Sequence, residues 1–290
     1  MYILQMIFIG LVNGGIYALI SIGLALLFGV LRLINIAHGE FLTIGAYSAL
    51  ILMIILNPFV IIPIVICVGF LFGFGIDRSL LSILRRAGRW QSEASTVLTL
   101  GISTLLANLM LILAGPHYRS GVPIISGTIL LFNMAFAGQR LLIAGICLLV
   151  VGLLFWFLKF TKPGKAIRAL SQDPVAAQTL GINQEKTFSM TLGLVGSLAA
   201  VAGMLVSSVF YVHPYMGLPF LMKGFVISVL GGLGSVGGAL VGSYILGISE
   251  AMGVMIVGSQ YRDAIGLLMM VAILMLRPRG IFGAKENIRL

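Results

Sequence analysis

Asn35-Ile36-Ala37-His38-Gly39-Glu40 places an amide, an imidazole and a carboxylate within six residues, between two strongly apolar segments. Ionisable groups at membrane depth are costly, and they ordinarily line a cavity or pair with one another. Two readings fit these residues. Asn35, His38 and Glu40 can shape or gate a polar route through an apolar protein. They can also form a turn at the membrane surface, with Arg32 extended toward water and Glu40 near a helix N-terminus, where the dipole favours its charge. Asn13, in Asn13-Gly14-Gly15, is a further candidate for the same route. So is the glycine run Gly231-Gly232-Leu233-Gly234-Ser235-Val236-Gly237-Gly238. There Gly231, Gly232, Gly234, Gly237 and Gly238 can unwind a helix so that backbone groups face a solute, or can permit close helix contact. Lys223 and Glu250 flank that run. They can pair across it, or Lys223 can reach the membrane surface on its own.

No enzymatic constellation accompanies these residues. His38, His117 and His213 stand far apart and neither cysteine joins them, so no metal-ligand spacing arises. The sequence holds no HExxH, no GxSxG and no phosphate-binding GxxxxGK[ST]. Neither a catalytic site nor a bound cofactor is expected in this chain, and any ATP must be handled elsewhere.

The elements that position these groups follow from composition. The chain has 290 residues, 60% of them hydrophobic and 9% charged, with a mean hydropathy of +1.14. Ordinary globular domains carry about 25% charged residues. The apolar stretches are continuous rather than alternating, which excludes a β-barrel. The expectation is an all-α, polytopic membrane bundle in one domain over 1–290, with about eight transmembrane segments and broken Gly-rich helices. The net charge of +10 sits in short loops between apolar runs, which is an orientation signal rather than a nucleic-acid surface.

The first run, 2–31, is about 45 Å long as one helix against a hydrocarbon core of about 30 Å. A kink or break is therefore expected at Asn13-Gly14-Gly15, and no cleavable leader is expected. Spans are expected over 41–57, 58–76, 94–115, 141–158 and 187–211, with the core of a last one over 264–276. The stretch 219–257 is too long for one straight crossing and should break in its glycine run. Arg78, Arg85, Arg86 and Arg89 assign one loop to the cytoplasm, and Arg277, Arg279, Lys285 and Arg289 assign the C-terminus there. The segment 116–139, poor in cations, belongs outside. Counting crossings then puts the N-terminus outside as well.

The longest polar stretch, 159–187, carries Lys159, Lys162, Lys165, Arg168 and Lys186 and is assigned to the cytoplasm. Asp173-Pro174 supplies an N-cap with proline at the first helical position. Val175 to Leu180 then reads as a short helix with an apolar stripe, and Gly181 suits its C-terminal stop. A capped helix over about 173–183 with exposed Ala and Leu reads as a docking element for a partner.

Several segments together resemble the branched-chain amino acid importer permeases of the ATP-binding-cassette type. They are Asn13-Gly14-Gly15-Ile16-Tyr17-Ala18-Leu19, Ile34 to Glu40, Gly164-Lys165-Ala166-Ile167-Arg168-Ala169, Ala176 to Asn183, Val229 to Ala239 and Arg277-Pro278-Arg279-Gly280. The similarity spans nearly the whole chain and is closest to the shorter subunit type. It implies a prokaryotic inner-membrane permease paired with a second related permease, two cytoplasmic ATPases that use ATP and Mg, and an extracytoplasmic solute-binding protein. It also implies that Asp173, Pro174, Ala176, Ala177, Leu180, Gly181 and Ile182 form the helix docked in the ATPase. Leucine, isoleucine and valine are the expected solutes. Urea, short-chain amides and other small polar solutes remain open within the same family, and a stand-alone secondary transporter or channel is the alternative from another class.

Overall fold

The computed structural model describes residues 2–86, 92–121, 123–125, 127–131, 134–277 and 280–282. Arg89, Arg279, Lys285 and Arg289 of the charge reading lie outside the described residues. The chain is a helical bundle: α1 (Tyr2–Leu31), α2 (His38–Leu52), α3 (Pro58–Ile76), a π-turn over Asp77–Leu81 and α4 (Ser82–Arg86) make its first third. Next come α5 (Ser92–Ala114), the short strands β1 (Arg119–Ser120), β2 (Thr128–Leu131) and β3 (Met134–Ala137), and α6 (Gly138–Phe160). The last half holds α7 (Lys162–Gln172), α8 (Pro174–Thr179), α9 (Gln184–Ser207), β4 (Tyr211–Val212), α10 (Gly217–Gly231), α11 (Val236–Val257) and α12 (Arg262–Leu276). Among the described residues, seven helices are long and apolar enough to cross a membrane. Most of α1 and α9 is buried, against a third or less of each other long span, so these two form the core together with the shorter, largely buried α2.

No break occurs at Asn13-Gly14-Gly15, and α1 runs as one continuous helix over Tyr2–Leu31. The reason is packing. A Cβ on Gly14 would lie 2.9 Å from the Tyr244 Cα, and one on Gly10 would lie 2.6 Å from the Ile248 Cα. The small residues form a notch that seats the backbone of α11 in antiparallel contact, as small residues do between membrane helices. Being enclosed in protein, α1 need not match the lipid thickness. The break in 219–257 does occur, at 232–235, where Gly232 (φ 101°) and Gly234 (φ 82°) take left-handed turns open to glycine. Gly237 and Gly238 fall within the first turn of α11 instead.

Contacts sort the helix ends into two groups. Phe8 meets Phe136 edge-on at 4.6 Å, β1 pairs antiparallel with β4, and Gly121 N–H donates to the Ser207 carbonyl at 3.0 Å. At the opposite end Arg86 meets Glu185 at 3.1 Å, Gly234 packs on Gly29, and Ile281 N–H donates to the Leu230 carbonyl at 2.9 Å. Arg32, Arg78, Arg85, Arg86, Lys159, Lys162, Lys165, Arg168 and Lys186 gather at this second, cationic end. The charge-bearing loops therefore share one end. The segment between α5 and α6, expected outside, carries the antiparallel pair β2–β3, with Thr128 opposite Ala137 through Leu131 opposite Met134.

Two short helices break the pattern of full crossings. His38 Nε2 lies 3.1 Å from the carbonyl of Ile20, midway along α1. The chain after α1 thus turns at Arg32, which adopts a left-handed φ of 51°, and runs back into the bundle before α2 starts. From there α2 climbs until Leu50 reaches Gly121. The N-terminus of α10 meets that of α2: a Cβ on Gly39 would lie 2.5 Å from the Gly217 carbonyl oxygen. From this contact α10 descends to the cationic end. The two helices, 15 residues each, start back to back inside the protein and leave in opposite directions.

Candidate functional site

Asn35, His38 and Glu40 come together at this junction and are at most 3% exposed. The surface-turn reading holds for the exposed Arg32 and for Glu40 in the first turn of α2 but fails in depth: the chain doubles back because Leu33, Ala37 and Phe41 seek the core, and it carries the polar groups in with them. Glu40 Oε1 accepts from the Ser103 hydroxyl at 3.2 Å, and Thr99 Oγ1 accepts from the Ile36 N–H at 3.3 Å. Both partners lie on one face of α5, four residues apart. Three groups lack a hydrogen-bond partner among the described residues: both amide atoms of Asn35, His38 Nδ1 and Glu40 Oε2. Each such buried group costs about 1–3 kcal/mol, so a cluster of them calls for an explanation. The N-termini of α2 and α10 have no side-chain cap, with Ala37 and Met216 at those positions. The positive ends of two helix dipoles thus face the same region, although the His38 and Glu40 N–H groups already donate to the carbonyls of Asn35 and Ala37.

The other route candidates are not part of this junction. Asn13 lies seven residues before Ile20 on α1, about 10 Å along the axis. The glycine turn packs on Gly29, about 13 Å beyond Ile20 in the other direction. The last carbonyls of α10, at Leu230 and Gly231, accept from Ile281 and Phe282 N–H groups. Sequence reasoning missed Ser103 and Thr99, although two hydroxyls at i and i+4 in an apolar helix were a signal. Of the two readings of Lys223, the pairing across the glycine run is the one the fold adopts. Lys223 bonds Glu250 at 2.5 Å and Asp263 at 2.9 Å, and the Tyr17 hydroxyl donates to Glu250 at 2.8 Å. Glu250 is 1% exposed, and a carboxylate so buried must be paired.

At the cationic end the polar stretch is more structured than a loop with one helix. α7 forms across Lys162–Gln172 because Pro163 sits in its first turn, where its missing N–H costs nothing, and the Thr161 hydroxyl accepts from Gly164 N–H at 3.1 Å. Gly164, Ile167 and Leu170 bury one face of α7. Asp173 Oδ1 then accepts from the N–H groups of Val175 and Ala176 at 2.9 and 3.0 Å, starting α8. Ile182 N–H donates to the Ala177 carbonyl and Gly181 N–H to that of Gln178, closing α8 in a Schellman stop around Gly181 (φ 83°). Asn183 caps α9 through the Lys186 N–H at 2.9 Å. Of the apolar stripe, Val175 is 72% and Leu180 82% exposed, and Ala176 is exposed too. Ala177 is 2% exposed and holds α8 to the bundle, so it is no part of an outward surface.

A cavity of about 270 Å³ lies beside α8 and reaches Arg32, three residues before Asn35. Pro174 of α8, with Gln184 and Phe188 of α9, lines one side, and Leu31, Arg32 and Ser95 line the other. Arg32 leads directly into the segment that carries Asn35.

The family model for the permease component of branched-chain amino acid transport systems matches residues 6–274. The chain is 31% identical to the high-affinity branched-chain amino acid transport permease LivH of Salmonella typhimurium, over 99% of this chain and 97% of that one. It is 30% identical to BraD of Pseudomonas aeruginosa, covering 98% and 96%. The ribose import permease RbsC of Haemophilus influenzae is 29% identical, covering 89% and 80%. No solved structure matches.

Proposed function

This chain belongs to the family of branched-chain amino acid transport permease components, and from that premise we propose that it is the membrane-spanning permease of an ATP-driven importer for leucine, isoleucine and valine. It is an integral membrane protein. In this reading it pairs with a second, related permease in a prokaryotic inner membrane. Two ATPases dock at the cationic end, and a solute-binding protein delivers from the other. The C-terminus then lies in the cytoplasm and the N-terminus outside, in keeping with the cation bias of the loops. ATP and Mg belong to the ATPases, and the permease needs no cofactor of its own.

The observation that carries the mechanism is the cavity between Pro174 and Arg32. An exposed, capped α8 lies on one side of it and the segment to Asn35, His38 and Glu40 on the other. Closure of the ATPase pair pushes α8 through Val175, Ala176 and Leu180. The push displaces the 32–37 segment, and with it the start of α2. A zwitterionic solute finds there what each of its ends requires: helix N-termini and the Asn35 amide for the carboxylate, and Glu40 for the ammonium. The paired switch needs contacts that differ between two states, and a rigid helix set on a cavity provides them.

A second reading, import of a small neutral polar solute such as urea or an amide, is favoured by the similarity to a ribose permease and by the free Asn35 amide. Uptake of labelled leucine and urea into vesicles holding the complete importer separates the two. Leucine uptake that requires internal ATP supports the first. Uptake that survives ATP depletion but collapses with an ionophore contradicts both.

A further inference from the structure

We propose that the cationic end holds a binding site for an anionic phospholipid, with its headgroup between α3–α4 and α9 and one acyl chain in the groove between α3 and α6. The head site is a cavity of about 470 Å³ lined by Arg78, Ser82, Arg86, Lys186 and Ser189, with Phe70 and Phe74 at its inner wall. Its charges are not balanced. Asp77 is taken by Arg85 in a two-pronged pair at 2.7 Å and by the Ser189 hydroxyl. Glu185 bonds Arg86 and lies within the field of Arg85 and Arg78, so Asp77 and Glu185 together face Arg78, Arg85, Arg86 and Lys186. Arg78 and Lys186 are exposed and have no ion-pair partner among the described residues, and Arg78 lies 5.9 Å over the Phe74 ring. Two uncompensated cations beside an aromatic wall suit a phosphate attached to something apolar.

The apolar part adjoins directly. Phe70 also lines a second cavity, of about 320 Å³, with Ile66 on α3, Leu194, Ser197 and Leu198 on α9, and Leu153 and Trp156 on α6. The one hydroxyl there is satisfied, since Ser197 donates to the backbone carbonyls of Ile66 and Gly193. From Arg78 to Ile66 is twelve residues of helix, about 18 Å, which is near the reach of one extended acyl chain. A basic pocket at headgroup level, opening into an apolar groove of chain length, is complementary to an anionic lipid. A second permease copy would satisfy the groove but would leave the two cations unmatched. A free phosphate would satisfy the cations and leave the groove empty.

The test uses the full chain in lipid nanodiscs with Trp90→Phe, which leaves Trp156 as the sole tryptophan. Quenching of Trp156 is compared for phosphatidylglycerol and phosphatidylcholine, each brominated high on the acyl chain. The site requires stronger quenching by phosphatidylglycerol at equal mole fraction. That preference should fall about fivefold for each cation removed in Arg78→Gln and Lys186→Gln. It should persist in Arg78→Lys with Lys186→Arg, which excludes general misfolding as the cause. Inorganic phosphate should not relieve the quenching. Equal quenching by the two lipids, a preference that ignores both Gln substitutions, relief by inorganic phosphate, or shielding of Trp156 from both lipids would each overturn the proposal.

Discussion

The junction of α2 with α10 and the surface of α8 invert the ordinary rule in opposite senses. At the junction an amide, an imidazole and a carboxylate are buried with polar atoms unpartnered, and two helix N-termini go uncapped. At α8 every nearby helix start is capped, by Thr161, Asp173 and Asn183, while Val175 and Leu180 stand exposed to water. Polar groups without water and apolar groups without cover are each unfavourable alone. Each is relieved by a partner, a small polar solute in the first case and a protein groove in the second. The comparison teaches that local order is strict where the chain is pushed and slack where it must let go.

The largest effect tests whether buried charge in this protein must be balanced. Lys223→Met strands Glu250 and should cost about 3–5 kcal/mol. The thermal midpoint in detergent should fall sharply, and the further change Glu250→Gln should recover most of it. If the single variant melts like the parent, the junction's bare polar atoms lose their significance as well. Glu40→Gln comes next. It should reduce uptake at least tenfold while insertion and complex assembly stay normal, since a lost charged hydrogen bond is worth about 1.5–3 kcal/mol. Normal uptake would make the junction a structural polar cluster only.

At the other pole, Leu180→Glu should leave the permease folded and uncouple ATP hydrolysis from uptake. Ala177→Glu should instead lower the yield of folded protein, because residue 177 faces the bundle. Similar behaviour of the two would erase the distinction between the outer and inner faces of α8. The smallest effect belongs to Asp173→Ala. Losing the cap costs about 1 kcal/mol and should raise the ATP consumed per solute transported without abolishing uptake.

The two poles were unequally legible in the sequence. The α8 unit could be read outright, because capping and the glycine stop are local rules in which Asp173 and Gly181 carry their own meaning. The neighbouring α7 was obscured by Pro163, which reads as a break unless it is placed in a first turn. The outward and inward faces of α8 were not separable, since Ala176 and Ala177 differ only in what packs on them. At the junction the residue types stood out, but their depth did not. A surface turn and a re-entrant segment have the same sequence until α10 is known to start against Gly39. Glycines posed the same difficulty: Gly14 as a notch for Tyr244 and Gly232 as a turn look alike without the neighbour. The pairing of Lys223 with Glu250 crosses 27 positions and has no periodic signature.

The central claim is that pushing α8 moves the segment bearing Asn35. The direct measurement is maleimide labelling of Asn35→Cys, with Cys67 and Cys147 replaced, in the complete importer with and without trapped ATP. The account predicts that residue 35 is labelled in one nucleotide state and protected in the other, and that Leu180→Glu removes the difference. Equal labelling in both states, or a nucleotide dependence that persists in Leu180→Glu, would contradict it.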